Sequence, residues 1–314
     1  MLQEEQLANL TKRPRQLAIW PRAGDLLIRV RQSILYQLAG VQPTLVINGG
    51  LPEVNIALPT ELAAKLKETL DKLKVSVMDE TGAKIGYAAL RKSPAYSAYR
   101  DECVAAPRQF KPDYLPDQSA RRAFWINLYN ALVLDSVITF DVERSVTEGR
   151  LGLLAFFRRA AHLVDGQRVS LEDIEHGIVR ANRGNPFVLG AHFPTQDPQL
   201  AWSLPVDPRV LFALNCGGRS CPPISSYSGE KLEEQLDTAS RGFVDASVDI
   251  HPDKNAISVS RIFQWYRGDI GGRDGIIDFL IRYLPDDKRR EFVVDSRDKL
   301  KVRFSAYDWR LNSV

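Results

Sequence analysis

The sequence predicts an α+β fold: a single main domain with a buried core helix packed on a mainly antiparallel sheet, plus an N-terminal helical extension. Three observations carry this prediction. Gln118 to Phe140 is apolar in nearly every direction of a helical wheel (Phe124, Trp125, Ile126, Leu128, Leu132, Leu134, Val137), as expected of a helix buried on all sides. Two later segments alternate around turn residues and read as β-hairpins. Helices and hairpins come in runs without regular strand–helix alternation, which favours α+β over a doubly wound sheet. A length of 314 residues allows one large domain or two smaller ones. Residues 1–57 read as the extension and 58–314 as the main domain.

In chain order, Gly24 to Ala39 spaces Leu26, Leu27, Val30, Ile34, Leu35 and Leu38 as an amphipathic helix. Pro43 to Pro52 reads as loop and short strand, with Gly49-Gly50 as a breaker. From Thr60, a candidate N-cap, apolar residues recur at helical spacing. The core helix over 118–140 follows, with Asn127 and Asn130 on one of its faces. Ala161 to Ser170 reads as a hairpin turning at Asp165-Gly166 in type I′ geometry. Ser170 then caps a helix from Leu171 to about Arg180, with Asp173 at the capping-box position. Val210 to Asn215 reads as a buried strand and Glu230 to Val244 as a helix. Val248 to Ser260 forms the second hairpin around Pro252 to Asn255. Short helices at Ile262 to Tyr266, Asp274 to Leu284 and Asp287 to Phe292 lead to an alternating strand within Lys299 to Trp309.

Composition bounds the function. Apolar residues make up 44% and charged residues 26%, enough for a sizeable core in a water-facing protein. The net charge of +3 is too mild, and its basic clusters (12–15, 121–122, 158–159, 288–290) too short, for a nucleic-acid partner. Acidic residues at the N-terminus and the lack of an apolar run there speak against a signal peptide. No run approaches a membrane span. The expectation is a cytoplasmic protein with no membrane or nucleic-acid partner. Its three cysteines make no disulfide framework.

The chemistry concentrates around Asn215-Cys-Gly-Gly-Arg-Ser-Cys-Pro-Pro. Cys216 is either a small buried hydrophobe or a nucleophilic thiolate needing a histidine or helix N-terminus beside it. The backbone of Gly217, Gly218 and Ser220 could then supply oxyanion-binding amides. A reversible Cys216–Cys221 disulfide is allowed by the spacing but not demanded by it. The Cys-x4-Cys spacing matches no zinc knuckle, so neither metal nor cofactor is expected. Cys103 reads as structural. Glu175 falls on the apolar face of its helix, where a carboxylate must pair or be hydrogen-bonded. It either ties down a neighbouring loop or orients a histidine. His176 is its neighbour, and Arg180 stands one turn on. Asn127 and Asn130 either hold the Cys216 loop or, in the manner of Cys-His-Asn enzymes, orient a histidine.

Five co-linear segments resemble the family catalogued as domain of unknown function 547. They are Ala123 to Leu132, Ile174 to Arg180, Phe212 to Pro223, Ser260 to Tyr266 and Tyr307 to Asn312. The family pattern matches Asn127, Asn130, Glu175, His176, Arg180 and Cys216. Plant members carry serine at the position of Cys221, which favours Cys216 as the residue of interest. The resemblance implies a fold akin to papain-like and transglutaminase-like cysteine hydrolases, with one departure. In those enzymes the nucleophile opens the core helix and precedes the histidine, whereas here the helix offers Asn127 and Cys216 follows His176. The expected activity is a cysteine-dependent hydrolase or acyltransferase acting on a small molecule or peptide. Cys216 would be the nucleophile, His176 the base, and Glu175 or Asn127 the orienting group. Asn130, Arg180, Gly217, Gly218, Ser220 and Cys221 would support the site. The alternatives are a non-catalytic module that binds a protein partner and, more weakly, a thiol redox role.

Overall fold

The computed structural model describes residues 23–50, 58–149 and 151–314. The N-terminal reading at 1–6, the basic cluster 12–15 and the end of the Pro43–Pro52 segment lie outside these residues. The fold is α+β, as predicted. Helix α1 (Ala23–Leu38) runs where the periodicity placed it. Its apolar stripe faces outward, however: Leu26, Val30, Ile34 and Leu38 are each exposed. The helix is tethered instead by polar side chains, with Arg31 Nη2 donating to the Ala191 carbonyl (2.6 Å) and Gln32 Nε2 to that of His192 (3.1 Å).

The expected short strand near residue 47 is a series of turns. It still borrows sheet hydrogen bonds. Ile47 N–H reaches the Ala161 carbonyl (2.8 Å), and the Asn48 side chain bonds both N–H and C=O of Leu163 (2.7 and 3.1 Å). Helix α2 (Pro59–Val77) starts with proline in its first turn after an uncapped Leu58, so Thr60 is not its N-cap. Proline's preset φ serves there in place of a side-chain cap. Helices α3 (Tyr87–Leu90) and α4 (Pro94–Glu102) lead to α5 (Gln118–Thr139), the core helix. Asp117 caps it by accepting from Ala120 N–H (2.8 Å). Trp125, Ile126, Tyr129, Leu132 and Val133 are fully buried.

Helix α6 (Gly152–Arg159) precedes strands β1 (Ala161–Val164) and β2 (Gln167–Ser170), an antiparallel hairpin. Asp165 (φ 46°) and Gly166 (φ 70°) both adopt the positive φ that a type I′ turn requires. Asp173–Ile178 is π-helical, and it opens on the predicted capping box: Ser170 N–H donates to Asp173 Oδ2 (2.8 Å) and Asp173 N–H to Ser170 Oγ (3.2 Å).

Pro208–Phe212 is a 3-10 helix, not a strand. A short apolar run has no period of its own, and the Asp207 cap with Pro208 at the first position decides for a helix. Helix α7 (Leu232–Ser247) packs on this turn. Strands β3 (Asp249–His251) and β4 (Ala256–Val259) form the second predicted hairpin. Helices α8 (Arg261–Trp265), α9 (Arg267–Ile270), α10 (Gly272–Tyr283) and α11 (Asp287–Asp295) carry the chain to β5 (Lys301–Phe304), which joins β4 in parallel. Among the described residues the strands therefore divide into two small sheets.

The apolar interior has two parts. One surrounds α5; the other lies between α7, α10 and β4. The Pro208–Phe212 turn joins them: Val210 belongs to the first, Leu211 and Phe212 to the second. The Cys216 loop leaves from this seam. Among the described residues no helix is long and apolar enough to cross a membrane.

Candidate functional site

A cleft opens along the seam. Its lining includes Glu172, Glu175, His176 and Cys216 together with Trp265, Tyr307 and Trp309, around a cavity of about 70 Å³. That is room for several waters, at roughly 10–15 Å³ each, or for one small group. The π-helical turn delivers the polar part. Glu175 and His176, neighbours within this turn, both reach the cleft, and Glu172 joins them from the residue before it. The turn also leaves Gly177 against Phe193, where any Cβ would sit about 2.1 Å from the ring. His176 is consequently 5% exposed rather than on the flank of its helix.

Glu175 keeps only 15% of its side-chain surface. Tyr129 Oη donates to its Oε2 (2.8 Å), and Tyr266 Oη donates to Oε1. Burial and the adjacent Glu175 charge push both phenols well above their usual range, so they stay protonated donors. Among the described residues no Lys or Arg side chain is within ion-pair distance of Glu175 (the shortest pairing is His176 Nδ1 at 4.0 Å).

His176 Nδ1 accepts from Arg180 Nη1 (2.8 Å). A guanidinium can only donate, so Nδ1 is bare and the proton of the neutral ring sits on Nε2. Burial and the Arg180 charge hold His176 well below its ordinary value. Arg180 is itself locked by Asp269 (2.5 Å) and the Gly184 carbonyl (2.8 Å). Nε2 faces Glu172, 4.0 Å from its Oε2. Glu172 is paired with buried Arg158 (3.1 Å) and bonded by Asn185 (2.9 Å), yet burial still raises its pKa.

A pH dependence follows. Unfolded chains protonate His176 below about pH 6.5, whereas the folded protein does not. The unfolded state then binds more protons, so stability present above pH 6.5 is expected to fall progressively as pH drops below it. Melting curves across this range should flatten in His176→Gln; an unchanged pH profile would contradict the neutral ring.

The Cys216 loop is built from amides. Asn130 Oδ1 accepts from Asn215 N–H (2.9 Å) and its Nδ2 donates to the Ala213 carbonyl (2.9 Å). Asn215 Nδ2 reaches the Pro222 carbonyl (2.6 Å). Gly217 takes φ +84°, a left-handed conformation that favours glycine. The amides expected to hold an oxyanion are already engaged. Gly217 N–H donates to Asn215 Oδ1 (2.8 Å), Gly218 N–H to Cys221 Sγ (3.3 Å), Arg219 N–H to the Arg310 carbonyl (2.9 Å) and Ser220 N–H to that of Asp308 (3.2 Å). Ser220 Oγ accepts from Asp308 N–H (2.9 Å). The bonds of Gly217 and Gly218 brace the loop internally, and those of Arg219 and Ser220 clamp it to the C-terminal segment.

Cys216 and Cys221 are joined as a disulfide, the pairing that the spacing merely allowed. Cys221 Sγ also accepts from Cys216 N–H (3.1 Å), and Tyr307 Oη stands 3.2 and 3.0 Å from the two sulfurs. Among the described residues no hydrogen bond joins His176 to Cys216. Asn127 lies outside the cleft, with both halves of its amide bound to the Tyr227 backbone (2.7 and 2.9 Å). It therefore orients no histidine. Cys103 is buried beside Thr69.

The structure thus brings Glu175, His176 and Cys216 to one cleft, with Arg180 and Cys221 directly behind. Asn127, Asn130 and Ser220 serve as scaffold. Sequence reasoning missed Glu172, Tyr129, Tyr266 and Tyr307, although the three tyrosines sit inside the segments that carry the family resemblance. It also missed the buried His192–Asp173 pair (2.6 Å), whose hydrogen bonds from His192 and Ser170 overcome burial and keep Asp173 below its ordinary pKa. Asp173 stood out in the sequence only as a capping residue.

No curated protein and no solved structure matches the chain. The segments at 260–266 and 307–312 lie beyond the stretch that a family profile covers. Over residues 114–244, which hold the core helix, the His176 turn and the Cys216 loop, the chain resembles the family described as "Protein of unknown function, DUF547".

Proposed function

We propose that the cleft is a thiol–disulfide site in which Cys216 and Cys221 alternate between a dithiol and a disulfide. One observation supports this above the rest. Two backbone N–H groups and a tyrosine hydroxyl converge on Cys221 Sγ, next to a partly exposed Cys216 on the cleft wall. Donors aimed at sulfur favour its thiolate, which makes Cys221 a good leaving group. An incoming thiolate attacks Cys216 Sγ and forms a mixed disulfide. The Cys216–Cys221 bond breaks, and its electron pair leaves on Cys221. A second external thiolate then attacks the external sulfur of the mixed disulfide, so that the external disulfide leaves and Cys216 and Cys221 remain as the dithiol. The reverse sequence, with an external disulfide as the two-electron oxidant, restores the Cys216–Cys221 bond.

The hydrolase or acyltransferase reading has in its favour that Cys216 and His176 line the same cleft. It lacks a Cys216–His176 hydrogen bond and free oxyanion amides, which such chemistry needs. A cytoplasmic location suits the thiol reading, since disulfides there are usually catalytic or sensing.

The test is equilibration with glutathione buffers, acid quench, alkylation and peptide mass spectrometry. Cys216 and Cys221 are expected to oxidise together while Cys103 stays reduced, and Cys221→Ala to trap glutathione on Cys216. Failure of the pair to oxidise at any buffer ratio would sink the proposal. Hydrolysis of an ester or amide substrate that survives Cys221→Ala but not Cys216→Ala would establish the hydrolase instead.

A further inference from the structure

We propose that the cleft binds a small organic cation, an alkylated ammonium group seated between Glu175 and the rings of Trp265, Tyr307 and Trp309. The inference rests on the cleft of the thiol reading but not on its sulfur chemistry.

Charge carries the first half. Glu172 faces the cleft but is neutralised by Arg158 behind it. Glu175 has two phenol donors and no cation in contact among the described residues. An ionised carboxylate offers about four lone-pair positions, so roughly two remain for a ligand. His176 cannot neutralise it, because its Nδ1 is occupied by Arg180 and the ring is uncharged. Arg180 is committed to Asp269 and Gly184 and does not line the cavity. A nearly buried carboxylate without a cation invites a ligand that brings one.

Aromatic rings in the same cavity lining carry the second half. Trp265, Tyr307 and Trp309 form a cluster with centroids 4.9, 5.6 and 4.6 Å apart, and Phe187, 55% exposed, extends it at 5.5 Å from Trp265. Ring faces attract cations, tryptophan most strongly, and alkylated ammonium groups satisfy them without demanding further hydrogen-bond acceptors. Among the described residues no Lys or Arg lines the cavity to compete. The cavity suits a compact head group better than a guanidinium with five donors to place.

The experiment is titration with choline and with 3,3-dimethylbutan-1-ol, its neutral counterpart of the same shape, followed by calorimetry and tryptophan fluorescence. Saturable choline binding is expected, with the alcohol at least about tenfold weaker. Glu175→Gln should cost choline about tenfold and leave the alcohol unchanged. Trp265→Leu should weaken choline even if Glu175→Gln fails to fold. Equal affinity for the two probes, binding of neutral sugars in place of choline, or no saturation by roughly 50 mM choline would overturn the inference. The same titration in Cys216→Ser/Cys221→Ser separates the two proposals: retained choline binding upholds this one whatever becomes of the thiol chemistry, and its loss there overturns it.

Discussion

Asn130→Ala is expected to lower the unfolding free energy by about 2–6 kcal/mol, because two buried backbone groups lose their partners at about 1–3 kcal/mol each. Asn130 is fully buried, and its amide is the joint between α5 and the start of the Cys216 loop. Alanine leaves the Ala213 carbonyl and the Asn215 N–H facing apolar surroundings. The effect should reach the sulfurs as well, since Asn215 Oδ1 holds Gly217 N–H. Urea denaturation reads the stability, and the rate of Cys216 alkylation in reduced protein reads the loop. Asn127→Ala, which removes a matching pair of bonds from Tyr227, should destabilise comparably yet leave Cys216 alkylation unchanged. A loss below about 1 kcal/mol for Asn130→Ala would mean that water enters and takes over its bonds.

Arg180→Ala should cost about 3 kcal/mol, near the low end for breaking a buried ion pair. It strands Asp269, whose side chain is 3% exposed and retains only the half-exposed Arg183 at 3.1 Å. The second consequence is chemical. His176 loses both its hydrogen-bond donor and the neighbouring cation, so its pKa should rise toward the ordinary histidine value. Arg180→Ala combined with Asp269→Asn should recover much of the stability without returning His176 to its depressed state. NMR titration of the His176 ring distinguishes the two effects. A ring that titrates identically in wild type and Arg180→Ala would show that burial alone depresses it.

Much of the architecture could be read from local pattern. The core helix announced itself by apolar residues on every face, and the two hairpins by their turn residues. Asp165-Gly166 specified its own turn because both residues tolerate the positive φ that a type I′ turn needs. Elements failed where local pattern underdetermines conformation. The run Val210–Leu214 is as apolar as a strand, but an Asp-Pro start made it a 3-10 turn. The stripe on α1 matched a buried face, and yet it points outward while polar side chains hold the helix.

The site divides the same way. Sequence alone determined which residues are chemically loaded: a carboxylate on an apolar helix face, a histidine beside it, two cysteines around glycines, and two amides inside a core. Those residues are conspicuous because their polarity conflicts with a buried position, and the conflict is visible without coordinates. Only the tertiary structure decided their partners. Glu175 met two tyrosines, from positions 129 and 266, His176 met Arg180 rather than Cys216, and the loop amides of Arg219 and Ser220 met the C-terminal segment. Hydrogen bonds are short and directional, so pairing depends on ångström-scale placement of segments far apart in the chain, which no periodicity encodes.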